Sequence, residues 1–91
     1  MSWTVYILEC ADSSLYTGIT TDLARRIAEH ETGKGARYTY GRGPFRLVHQ
    51  ELHINRAEAS KREIIIKAMT RSQKLALIQG VLQNEKDLSY F

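Results

Sequence analysis

The stretch Trp3 to Cys10, WTVYILEC, is apolar or aromatic at nearly every position and includes β-branched residues. A strand that presents apolar side chains to both sides is stable only when both sides are covered. It therefore predicts a central or well-covered strand. Ala11-Asp12-Ser13-Ser14 supplies turn chemistry, and Leu15 to Thr20, LYTGIT, reads as the return strand of a hairpin.

Parity then constrains the hairpin. A loop of three or five residues centred on Asp12 sets Tyr6 opposite Gly18 and Leu8 opposite Tyr16. The two tyrosines become diagonal neighbours on one face. Gly18, lacking a side chain, leaves open space opposite Tyr6.

Thr21 as a hydroxyl cap, followed by Asp22, predicts a helix from Asp22 to about Glu31, ended by Gly33. Leu23 and Ile27 form its inward stripe, while Arg26 and His30 share an adjacent face at i, i+4. Phe45 to His53 reads as a third strand. Asn55 with Glu58, and Thr70 with Gln73, have capping-box spacing for helices over about Arg56 to Met69 and Arg71 to Leu82. Leu75, Ile78 and Leu82 should point inward in the last of these. The order β-β-α-β-α-α predicts an α+β fold, a small antiparallel three-stranded sheet packed with helices, as one domain over residues 1–82. Residues 83–91 read as a polar tail.

At 91 residues the chain supports one modest core. No apolar run is long enough to span a bilayer, and the first residues lack a basic n-region and cleavage site. Cys10 is the only cysteine, so no internal disulfide and no cysteine-based zinc site can form. We expect a cytoplasmic protein without membrane association. The net charge of +3 says little, but its distribution says more. Between Lys34 and Val48 there are four basic residues, no acidic one, and Tyr38, Tyr40 and Phe45 set among glycines. Lys34, Arg37, Tyr38 and Arg42 are candidates to hold a nucleic-acid backbone, since arginine pairs with phosphate and aromatic faces accept bases. The competing explanation is a solvated loop that keeps the protein soluble.

Val5-Tyr6-Ile7, Tyr16-Thr17-Gly18, the Arg26/His30 pair and Glu63 in a later helix together resemble the GIY-YIG nuclease family, and its small stand-alone bacterial members in particular. The resemblance runs from Thr4 to about Leu82, and Gly33-Lys34-Gly35-Ala36 is similar to a segment of that subgroup. Here the first motif is Val5-Tyr6-Ile7 in place of a literal Gly-Ile-Tyr. The resemblance implies catalytic roles for Tyr6, Tyr16, Arg26 and His30, with Gly18 structural in the site and Arg25 ranked behind Arg26. It also implies one divalent metal ion, magnesium or manganese, on Glu63. The activity implied is metal-dependent endonucleolytic hydrolysis of DNA, in repair or recombination, with nicked, flapped, branched and single-stranded substrates all open. RNA stays open as a substrate, and a partner protein could supply recognition.

Each residue also has a bland explanation. Tyr6 and Tyr16 alone would be strand aromatics, and His30 a helix C-terminal histidine favoured by the dipole. Glu63 with Lys67 at i+4 is a common helix-surface pair. Glu58 reads as a cap, and His49 and His53 as structural. A lone carboxylate nonetheless suffices for magnesium when substrate phosphates complete the shell. The rival class is a catalytically weak or inactive nucleic-acid-binding module of the same fold. Which tyrosine would act as base is open at this level.

Overall fold

The computed structural model describes residues 2–80. The expected tail over 83–91, the inward Leu82 and the domain limit at residue 82 lie outside them. Strands β1 (Trp3–Glu9), β2 (Leu15–Thr20) and β3 (Arg46–His53) form one antiparallel sheet in the order β2-β1-β3. Helix α1 (Leu23–Glu31) follows the hairpin, and α2 (Arg56–Lys67) and α3 (Arg71–Ile78) follow β3. The expected element order and the central place of β1 are both observed. Val5 and Ile7 on one face and Tyr6 and Leu8 on the other are all completely buried.

The Val5/Ile7 face carries the main core, packing against Ala59 and Ile66 of α2 and Leu77 of α3. Leu77 is the buried residue of α3, whereas the expected Leu75 is only half-buried. Helix α3 stops short of its expected end because Gly80, at φ 81°, turns left-handed just beyond the Gln79 cap. Helix α2 also ends early, since Thr70 and Gln73 begin α3 with a complete capping box. At α1 the cap is Asp22, not Thr21: its carboxylate accepts from the Arg25 backbone N–H at 3.1 Å. Strand β3 starts one residue after Phe45, whose ring instead lies edge-on to His30.

Glu51 on β3 ties the sheet to α2. Arg62 donates to both its carboxylate oxygens at 2.8 and 2.9 Å, and His49 and His53 Nε2 lie 2.7 and 3.2 Å from them. Burial opposes ionisation, but hydrogen bonds from His49, Arg62 and His53 prevail and hold this carboxyl well below the usual range. The two histidines are engaged structurally.

Candidate active site

The hairpin register is Tyr6 opposite Gly18 and Leu8 opposite Tyr16, across a five-residue loop. Tyr6 and Tyr16 accordingly share a face, with ring centroids 6.3 Å apart. The space over Gly18 is not open. It seats the Tyr6 phenol, and a Cβ at Gly18 would come within 2.5 Å of the Tyr6 hydroxyl oxygen.

His30, the buried residue of α1, lies over this pair. Its Nε2 is 2.8 Å from the Tyr6 hydroxyl, and its Nδ1 is 2.7 Å from Thr39 Oγ1. Proton counting settles the tautomer. The Thr39 hydroxyl gives its one hydrogen to the Ala36 carbonyl at 2.8 Å, so it must accept from His30 Nδ1–H. Burial, and then the charge of Arg26, lower the His30 pKa and favour the neutral ring. Nε2 is therefore the bare nitrogen, and the Tyr6 O–H donates to it. Burial also pushes the Tyr6 hydroxyl up to about 12, while the Arg26 guanidinium pulls against that shift.

The segment after α1 walls the site. Gly35 abuts the His30 ring so closely that a Cβ there would lie 2.2 Å from Nδ1. Tyr38 stacks on Tyr16 at 5.9 Å, and the Arg42 guanidinium lies 4.5 Å over the Tyr38 ring while pairing with Asp12. Tyr38 and Arg42 are thus at the site. Lys34 and Arg37 are exposed, and among the described residues no ion pair holds either.

Arg26 donates to Glu29 Oε1 at 3.0 Å, which fixes the guanidinium near the tyrosines. Glu63 pairs with Lys67 at 3.1 Å with its side chain mostly shielded, and its charge acts on Tyr6, raising the phenol further. The surface pair and the approach to the site therefore coexist. Among the described residues there is no group of three acidic, histidine or cysteine side chains that could cage a metal ion. One inward carboxylate beside a basic, aromatic cleft fits a magnesium-type ion that takes its other oxygens from water and phosphate.

Thr39, Gly35, Phe45 and Glu29 all support the site without having been singled out from sequence. The Gly-Lys-Gly run was the available signal for Gly35, while Thr39 carried none. Among the described residues no helix is long and apolar enough to cross a membrane.

The family model described as the GIY-YIG catalytic domain matches residues 2–76. A UPF0213 protein of Clostridium perfringens is 57% identical over 76 residues, 84% of this chain and 82% of that protein. One from Desulfotalea psychrophila is 53% identical over 80 residues, 87% of this chain and 73% of the relative. The solution NMR structure of a UPF0213 protein from Bacillus halodurans, 51% identical, covers 87% of this chain and 84% of its own, with a TM-score of 0.58. That of an E. faecalis protein, 40% identical, covers the same shares with a TM-score of 0.62. The motif tyrosines, the Arg/His helix and these matches agree: this chain belongs to the GIY-YIG family, beside the UPF0213 proteins.

Proposed function

We propose that the protein is an endonuclease that hydrolyses phosphodiester bonds in DNA, in repair or recombination, with one divalent metal ion. The observation that carries this reading is the Tyr6–His30–Thr39 chain, with its proton aimed at a bare imidazole nitrogen beside Arg26 and Glu63.

In this reading the Tyr6 oxygen accepts a proton from the attacking water while the Tyr6 proton passes to His30 Nε2. The water oxygen bonds to phosphorus, the bond to the leaving oxygen breaks, and that oxygen is protonated from solvent. Thr39 accepts from Nδ1–H and so leaves Nε2 as the nitrogen that takes the proton. Arg26, fixed by Glu29, stabilises charge that grows on the phosphate oxygens. A magnesium or manganese ion held by Glu63 would add positive charge at the same phosphate. A neutral phenol whose pKa is held at about 12 is a weak base on its own, so Tyr6 acts as a relay beside the Arg26 charge, taking the water proton as it passes its own to His30. Tyr38 and Arg42 line the approach for the backbone. Recognition of a branched or nicked structure could come from a partner protein.

A cleavage screen on labelled single-stranded, duplex, nicked and branched DNA, with RNA alongside, tests the proposal. Cleavage that needs magnesium or manganese and is lost in Tyr6→Phe is the expected result. Tight binding with no cutting under any divalent metal would favour the rival reading, a binding module without turnover.

A further inference from the structure

We propose that the cleft at the β2 edge seats the nucleotide adjoining the scissile phosphate, with its phosphate on Lys67 and Lys74 and its base against Leu15 and Tyr38. The inference rests on the nuclease reading above and names a subsite for it. The cleft measures about 260 Å³ and is lined by Leu15, Tyr16, Thr17, Tyr38, Lys67 and Lys74. That is room for a single nucleotide unit.

Its lining divides by chemistry. The two lysines enter from the end of α2 and from α3, while Leu15 and the Tyr38 ring form an apolar wall. Among the described residues no carboxylate lines it, and the nearest pairing is Lys67 with Glu63 at 3.1 Å. Lys74 has no ion-pair partner among the described residues. Thr17, which also lines it, has a buried hydroxyl with no hydrogen-bond partner among the described residues.

Tyr16 is shared between the cleft and the catalytic cluster, its ring 5.2 Å from His30 and 6.3 Å from Tyr6. Lys67 joins the cleft to Glu63 at the other end. A strand whose phosphate lies between Tyr6 and Glu63 must run its neighbouring nucleotide past both. Lysines read phosphate as point charges, so this subsite fixes register without choosing a base.

The test is an NMR titration of the isotopically labelled chain with 5′-phosphorylated tetrathymidylate in excess chelator, where no cutting occurs. Amide shifts should concentrate at Leu15, Thr17, Lys67 and Lys74. Lys74→Glu should weaken binding by about tenfold or more, the loss of one charge-assisted contact. Lys74→Met, which keeps the aliphatic stem, should share that loss at an unchanged melting temperature, and Lys74→Arg should restore binding. Shifts confined to residues 34–42, or wild-type affinity in Lys74→Glu and Lys74→Met, would overturn the subsite. The two readings fail separately. Wild type that fills the cleft yet cuts nothing keeps the subsite and removes the nuclease. Cleavage with KM unchanged in Lys74→Met does the reverse.

Discussion

The Tyr6 hydroxyl lies 2.8 Å from His30 Nε2, and it is the partner of the opposite nitrogen, Thr39, that makes this contact directional. Tyr6→Phe keeps the ring over Gly18 but leaves Nε2 buried without a donor. We expect cleavage to fall by about 10²–10⁴-fold, the usual contribution of a positioned acid or base. Stability should drop by about 1–3 kcal/mol for the orphaned nitrogen. Single-turnover rates and thermal melts measure the two effects. A fully active Tyr6→Phe would move the base to another group.

Stability and activity should share an acid limb set by His30. Its folded pKa is lowered from 6.5, first by burial and then by Arg26. In the window just below 6.5 the unfolded chain therefore binds more protons than the folded one, and stability falls as pH drops through it. Protonated His30 also cannot accept from Tyr6, so the rate falls in the same direction. Melting temperature and kcat followed against pH should both lose this limb in His30→Gln. A limb that persists unchanged in that variant belongs to a different residue.

Gly35→Ala should act through His30. The new Cβ would meet Nδ1 at 2.2 Å and Cε1 at 2.9 Å, so the ring must leave Thr39 or the loop must lift. The expected cost is about 1–3 kcal/mol, as for other overpacked sites, with cleavage impaired alongside. Gly41→Ala is the comparison. Nothing lies within 4 Å there, but φ is 73°, so it should lose about 1 kcal/mol to backbone strain and keep its activity. Equal activities in the two variants would show that the Gly35 wall does not position His30.

Much of this site was legible because parity has only two outcomes: an odd loop puts Tyr6 and Tyr16 together, and the five-residue loop is odd. Arg26 and His30 follow from the helical repeat in the same way. The wall of the site was not legible. Residues 33–44 carry no period, so nothing local says that Gly35 and Thr39 clamp a histidine while Lys34 and Arg37 stay exposed. Arg42 reads as a phosphate contact from its charge alone, yet its partner Asp12 is 30 residues away in the hairpin loop. Thr21 against Asp22 is a different kind of miss, since either side chain can cap and only the backbone at Asp22, extended at φ −141°, decides.

Glu51→Ala should destabilise the fold without touching the chemistry. It would strand Arg62, whose side chain is 28% exposed, along with His49 and His53. Breaking a fully buried pair costs about 3–5 kcal/mol, and this partly exposed one should cost roughly 2–3 kcal/mol. Because the Glu51 pKa is depressed in the folded chain, its contribution is present above the unfolded value near 4.5 and is lost as pH falls below it. Urea titrations at pH 7 and pH 3 should therefore show wild type and variant converging in acid. A gap of constant size would mean that the carboxylate charge contributes nothing.

Glu63→Gln separates two descriptions of one side chain. As half of an i, i+4 helix pair with the half-exposed Lys67 at 3.1 Å, Glu63 contributes about 0.3–0.5 kcal/mol, so the melting temperature should barely move. As the anchor for a divalent ion, it should be indispensable: magnesium- and manganese-dependent cleavage should vanish in the variant. Its charge also raises the Tyr6 phenol, so a tyrosine titration followed by NMR should find Tyr6 deprotonating below its value of about 12. That readout needs neither metal nor turnover. DNA binding in chelator should be intact or slightly tighter, one negative charge having left the neighbourhood of the phosphate. If the variant cuts as fast as wild type while its Tyr6 titration shifts as expected, Glu63 stands beside Tyr6 but the metal is held elsewhere.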